Sequence, residues 1–268
     1  NVPTPERTPT APGAVQLRIQ DLRAVSASGH AVLNGVAFEV RAGEIYGIAG
    51  VGGNGQSELA EAIAGLPLAG GGTRTGAITL DGVGDIASAS RAHRAGRLAT
   101  IPADRYGIGL AGALSVAENF AIGEAHSGRY GSRVRLARAA MESATTVATR
   151  AFNVQGVRSV RQTAALLSGG NAQKLVIARE FSKKPQLVLA HSPSRGLDVR
   201  ASAEVHARLL AARAAGAAVL LISEDLDEVL ALADRVGVMS RGRIVRWMLE
   251  EVGQPYRTEV LEYGTTMK

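Results

Sequence analysis

The spacing of apolar and polar positions changes period several times along the chain. VQLRIQDLRAV (15–25) and AVLNGVAFEV (31–40) alternate apolar and polar residues, the period-two pattern of half-buried strands. EIYGIAG (44–50) is short and nearly all apolar before it runs into glycines, as expected of a covered strand ending in a turn. SELAEAIAGL (57–66) then takes up helical spacing. The stretch from Ala111 to Gln162 reads as helix-rich, with RVRLARAAMESATTVATRAF (133–152) as its longest helix. After a glycine turn come a helix at 171–184, a strand at 186–190, a helix at 201–215, a strand at 218–223, a short helix at 225–233 and a strand at 236–240. Strands alternating with helices predict an α/β fold built on a parallel sheet. Residues 1–14, rich in proline and threonine and lacking apolar periodicity, read as an extended linker.

Composition narrows the picture. Hydrophobic residues make up 46% of the 268 but aromatics only 4%, so the core is expected to consist of Ala, Val, Leu and Ile. The absence of cysteine excludes disulfides, thiolate metal ligands and thiol nucleophiles. A net charge of +6 points to an anionic partner, which could be nucleic acid, a membrane surface or a nucleotide. The arginines are scattered. Their densest groups, Arg91, Arg94, Arg97 and Arg105, then Arg129, Arg133, Arg135 and Arg138, lack interleaved aromatics that would stack on bases, and read as solvated helix faces. No nucleic-acid partner is therefore expected. With no apolar run near the ~18 residues of a membrane span, the chain is expected to be soluble.

Candidate chemistry begins where the third strand ends. Gly50, Val51, Gly52, Gly53, Asn54, Gly55, Gln56 and Ser57 fit the phosphate-binding P-loop pattern at every anchor but one, Gln56 standing where lysine belongs. Glycines allow backbone N–H groups to wrap phosphates, the following helix points its positive end at them, and Ser57 offers a hydroxyl to Mg²⁺. A plain glycine-rich strand-to-helix turn is the alternative. A second motif, Leu167, Ser168, Gly169, Gly170 and Asn171, followed by Ala172, Gln173 and Lys174, opens another helix; alone it could be a serine cap on a glycine turn.

Together these residues resemble the P-loop and LSGGQ signature of ABC ATPases, and the Asn variant followed by Gln-Lys resembles the ATP subunits of simple-sugar and nucleoside importers. The resemblance covers about residues 15–245. It implies a P-loop NTPase fold: a RecA-like parallel core, an antiparallel β subdomain and a helical signature subdomain at about 111–165. It also implies ATP and Mg²⁺ as ligands. QLVLA, His191, Ser192, Pro193, Ser194, Arg195, Gly196, Leu197 and Asp198 resemble the Walker B strand and D-loop, ISEDLDEV resembles the switch segment, and IPADR the Q-loop region with Ala103 at its polar position. By that correspondence His191 and Ser192 replace the Mg²⁺ and water-activating acids, and Glu224 replaces the switch histidine. A lone His191 has no second ligand at metal spacing, and Glu224, Asp225, Asp227 and Glu228 read as ordinary first-turn acids and caps.

Replacing the lysine predicts phosphate binding weakened about tenfold to a hundredfold, and losing a base a further ~10² to 10⁴ in rate. The site around Gln56, His191, Ser192 and Glu224 is thus expected to be degenerate, while Ser168, Gly169, Gly170, Asn171 and Asp198 remain able to serve a neighbour's ATP. The family's arrangement implies a head-to-tail dimer with a second, N-terminal ABC domain, membrane permease subunits, a solute-binding protein met indirectly, and a place at the cytoplasmic face of the membrane. An ABC-type ATPase of nucleic acid or translation, and a regulatory module that hydrolyses nothing, are the rival readings. Residues 246–268 depart from the family: RWMLEEVGQPYRTEVLEYGTTMK resembles the first helix and second strand of a glutathione transferase and is expected to be a loosely docked tail.

Overall fold

A computed structural model describes residues 11–90, 93–94, 96–124, 128–131 and 135–247. The expected linker up to position 10 and the tail from 248 onward lie outside them, as do Arg91 and Arg133.

Two sheets are stacked. A four-stranded antiparallel sheet runs in the order β2-β1-β4-β5, from β1 (Val15–Ser26), β2 (Ala31–Arg41), β4 (Gly72–Leu80) and β5 (Gly84–Asp85). A six-stranded sheet runs β10-β9-β3-β8-β7-β6. Its strands β3 (Ile45–Ala49), β6 (Leu98–Ile101), β7 (Leu187–His191), β8 (Ala218–Ser223) and β9 (Arg235–Ser240) are parallel, and only the edge strand β10 (Arg243–Trp247) is antiparallel. Every residue of β3 and β8 is buried, the continuous apolar run that a sheet covered on both faces requires.

Period-two packing divides the core. Ala218, Leu220 and Ile222 of β8 face α1 (Gln56–Ala64) and the antiparallel sheet, joining Leu59, Ile63, Leu17 and Phe38. Val219 and Leu221 face the opposite way, onto Val205 and Leu209 of α5 (Val199–Ala214) and Val229 and Leu232 of α6 (Leu226–Leu232). Helix α6 lies so close to β3 that a Cβ on Gly47 would come within 2.6 Å of Val229 Cγ1. A third cluster joins α2 (Val116–Ala121), α3 (Arg138–Ala151) and α4 (Gly169–Phe181) through Val116, Phe120, Met141, Leu175 and Val176. The start of α2 is fixed by a reciprocal cap: Glu118 N donates to Ser115 Oγ at 3.1 Å and Ser115 N to Glu118 Oε2 at 2.8 Å. The Ser115 hydroxyl, donating to Glu118 Oε2 at 2.7 Å, and then Ser115 N hold the Glu118 carboxyl below its ordinary range.

The architecture is the expected α/β P-loop NTPase fold with its antiparallel β and helical parts. The pattern missed β4, β5, β6 and β10. Strand β4 carries glycines at 72 and 76 and buries only Ile78 and Leu80, and β6 has four residues, so neither shows a readable period. Helix α3 begins at Arg138 rather than 133, and α4 begins at Gly169, two residues before the expected start, and ends at Phe181. There Ser182 caps the helix and Lys184 turns left-handed, with φ +50°.

Candidate nucleotide site

The carboxyl ends of β3, β7 and β8 are neighbours in the parallel sheet, so the loops leaving them converge at one end of the molecule. The loop from Gly50 to Gly55 connects β3 to α1. Gly55 has φ +107°, and a Cβ there would lie 2.6 Å from Val32 O, so only glycine fits the point where the loop enters the helix. No side chain caps α1, which leaves its first-turn N–H groups directed at the loop.

Gln56 does not reach outward as a lysine would. It is 4% exposed and folds back into the loop. Its Oε1 accepts from Asn54 N at 3.0 Å, and its Nε2 donates to Val51 O at 2.9 Å. Asn54 tightens the same closure, donating from Nδ2 to Val51 O at 2.7 Å while its Oδ1 accepts from Arg241 N at 2.8 Å. The loop is therefore tied to itself and to the β9–β10 turn, and a backbone donor of the phosphate cradle is already used. Glu224, just after β8, lies over the loop: a Cβ on Gly52 would meet its Oε1 at 2.5 Å. A carboxylate at that place opposes a polyphosphate.

At the end of β7, burial lowers the pKa of His191; neighbouring Glu224 pulls it up and Arg195 pushes it down. The imidazole is neutral near pH 7 and supplies no anionic ligand. Ser192 is buried in a left-handed conformation, φ +46°, its N–H bonded to Ile222 O at 2.7 Å. A cavity of about 390 Å³ between α1 and the ends of β6 and β7 is lined by Ser57, Ala103, Asp104, His191 and Arg195 among others. Among the described residues no three His, Cys, Asp or Glu side chains gather where a metal ion could be held. Ser57, exposed at the start of α1, and Asp104 are oxygen donors in that lining able to serve Mg²⁺, whereas His191 brings a neutral imidazole.

The signature loop is different. Ser168 stands exposed at the N-cap of α4, and its side chain caps no backbone N–H. Its Oγ instead accepts from Asn171 Nδ2 at 2.9 Å, and Asn171 Oδ1 accepts from Gln155 N at 2.8 Å. The amides of Gly169 and Gly170 thus begin a 13-residue helix without a capping carboxylate. Leu167 is buried as an anchor. Asp198 caps α5, its Oδ1 accepting from Ala201 N at 2.8 Å, and Gln173 of α4 donates to Pro193 O at 3.0 Å, joining the signature helix to the D-loop.

Two residues take places their sequence context did not announce. Arg105, grouped above with solvated arginines, lies against the signature and D-loops: its Nη1 donates to Arg195 O at 2.9 Å, and a Cβ on Gly169 would be 2.9 Å from its Nη2. Glu228, read above as an ordinary first-turn acid, is buried. Its Oε1 pairs with His206 Nε2 at 2.9 Å and its Oε2 accepts from Ser223 Oγ at 2.6 Å. Burial pushes its carboxyl up, but bonds from His206, Ser194 and Ser223 outweigh that and hold it below the ordinary range. Asp225 behaves as expected and caps α6, accepting from Glu228 N at 3.2 Å.

A phosphate-type loop and a signature helix at one end of a parallel sheet, flanked by an antiparallel sheet and a helical bundle, define an ATP-binding cassette. The ABC transporter family model matches residues 33–195, and the chain belongs to that family. It is 42% identical over 244 residues to the glucose import ATP-binding protein TsgD13 of Haloferax volcanii, covering 90% of this chain and 44% of that protein. It is 36% identical to the nucleoside import ATP-binding protein NupA of Lactococcus lactis (98% and 50% covered). With the guanosine import ATP-binding protein NupO of Bacillus subtilis it shares 35% (98% and 51%). The chain thus spans about half the length of these relatives. Among solved structures, an ATP-binding subunit of an ABC transporter matches with TM-score 0.69 at 25% identity, covering 87% of this chain and 90% of that one. A dimeric cassette in a post-hydrolysis state, bound to ADP and Pi, matches with TM-score 0.73 at 18% identity over 88% of this chain and all of that one, a likeness of fold.

Proposed function

We propose that this chain is the degenerate half of an asymmetric nucleotide-binding pair that powers import of a simple sugar or nucleoside. In this reading Ser168, Gly169 and Gly170 close over ATP and Mg²⁺ held by a second ABC domain with intact P-loop lysine and acids. The chain's own P-loop contributes little or no hydrolysis. The observation that carries the reading is the contrast between the two loops: Ser168 stands exposed with its side chain capping no backbone N–H, whereas Gln56 is buried and bonded to Asn54 N and Val51 O of its own loop. Relatives about twice this length that are named for glucose, nucleoside or guanosine import support both the solute class and a tandem partner in one polypeptide. Closure of the pair would move permease subunits at the cytoplasmic face of the membrane, with a solute-binding protein delivering cargo to them. The association is peripheral in this reading, since no helix among the described residues is long and apolar enough to cross a membrane.

ATPase assays of the chain alone and paired with the intact domain test the proposal. The chain alone should turn over no ATP above background, and the pair should hydrolyse it and lose that activity on Ser168→Arg. Substantial turnover by the chain alone, abolished by changing Gln56, would contradict the assignment.

A further inference from the structure

The turn at Arg105–Gly109 is wound as a single π-helical turn, a rare conformation that is frequent at functional sites. It is docked onto the signature loop at two points. Tyr106 Oη donates to Leu167 O at 2.9 Å, and the Arg105 guanidinium lies across Gly169. The same guanidinium reaches the D-loop, where its Nη1 meets Arg195 O at 2.9 Å and a Cβ on Gly196 would be 3.3 Å from its Nη2.

The charge balance at this place is unusual. The nearest acid in sequence, Asp104, is committed to its own turn, accepting from Tyr106 N at 3.1 Å and Gly107 N at 2.8 Å. Among the described residues Arg105 forms no ion pair; its one side-chain hydrogen bond is to a carbonyl. A full positive charge therefore rests against the positive end of a 13-residue helix whose cap is a neutral serine. In the free chain that arrangement is repulsive. Around a bound polyanion it is favourable, because guanidinium and helix amides then share one partner.

We infer that Arg105 is a phosphate-contacting residue of the composite site, binding the terminal phosphate of the ATP that the partner domain holds. The inference rests on the head-to-tail reading above. Arg105 completes the signature face with a cation that the glycine loop lacks, and its bond to Arg195 O makes the D-loop respond to the same phosphate. An arginine suits the task because its planar fork can keep that carbonyl bond while turning other N–H groups to the phosphate.

The test uses the chain paired with its intact partner domain, photolabelled with azido-ATP and, separately, azido-ADP. Arg105→Gln should raise the azido-ATP concentration for half-labelling about ten- to a hundredfold, the loss of a charge-assisted bond, and leave azido-ADP within about twofold. Arg105→Lys, which keeps the charge, should restore most of the ATP affinity. Unchanged ATP labelling in Arg105→Gln overturns the inference, and so does an equal loss of ATP and ADP, which marks a purely structural anchor for the D-loop. Ser168→Arg separates the two layers. If it leaves labelling intact, the head-to-tail reading itself falls; if it abolishes labelling while Arg105→Gln does not, only the role of Arg105 is lost.

Discussion

Gln56 ends in an amide that both donates and accepts, and this small chemical difference from an ammonium group closes the loop around it. A lysine there has only donors and cannot accept from Asn54 N; the amide bonds both Asn54 N and Val51 O and needs no ligand. Gln56→Lys should release that self-satisfaction and return a cation to the cradle. Affinity for ATP, followed by titration with a fluorescent ATP analogue, should rise about tenfold or more. Hydrolysis should not rise in step with affinity, because His191 and Ser192 supply no carboxylate beside the phosphates. If the affinity does not change, the carboxylate of Glu224 over Gly52 is the dominant obstacle, and Glu224→Gln should then produce the gain instead. That Gln56, His191, Ser192 and Glu224 lie at or just beyond the carboxyl ends of β3, β7 and β8 was legible in the sequence, because each follows a readable apolar strand. The folding back of Gln56 was not, since no spacing rule says whether an amide points into or out of its loop. Arg105 was hidden for a related reason: one arginine among many carries no sign of the loop it will touch.

Between elements, the most consequential contact is the carboxylate of Glu228, which ties α6 to α5 through His206 and to β8 through Ser223. Glu228→Gln keeps the shape but cannot accept on both sides, and should cost about 1 to 3 kcal/mol. That corresponds to a melting temperature lower by several degrees for a chain of this size. The pH dependence has a definite sign. The folded carboxyl titrates below the ordinary value of 4.5, so its stabilisation is complete above that value and is lost as pH falls through the lowered one. Urea midpoints followed into that acid range should decline in the wild type and decline less in the Gln variant; parallel curves would show that the carboxylate carries none of the acid sensitivity. Strands β3 and β8 were readable as short, almost wholly apolar runs and α5 by its repeating buried face. Strand β4 was not readable, because pairing with β1, a relation between residues about fifty positions apart, holds it in place where its own glycines would not.

At the scale of the whole molecule, each motif loop carries an exposed apolar side chain, although others, such as Val147 and Leu136, lie in and before helix α3. Val51 at the P-loop tip is 79% exposed, Leu166 before the signature 72%, Val199 after the D-loop 63% and Leu226 after the switch segment 53%. Three of these follow the carboxyl ends of β3, β7 and β8 and so lie at one end of the sheet. Solvent-facing apolar groups gathered beside charged loops are what a partner covers. If this face meets the proposed second domain, nucleotide supplies much of the adhesion, and nucleotide binding depends on a working P-loop. On the proposed reading, two copies of this chain would offer two signature loops and no intact cradle, so ATP would have nothing to bridge. The chain alone should therefore sediment as a monomer with or without Mg²⁺-ATP, whereas mixing with the intact domain should give an ATP-dependent pair. Val199→Asp should weaken that pair about tenfold by setting a charge in its apolar seam, without lowering the melting temperature of the free chain. Sedimentation velocity distinguishes the outcomes: an ATP-driven homodimer of this chain, or a heteropair indifferent to Val199→Asp, would place the partner on another face.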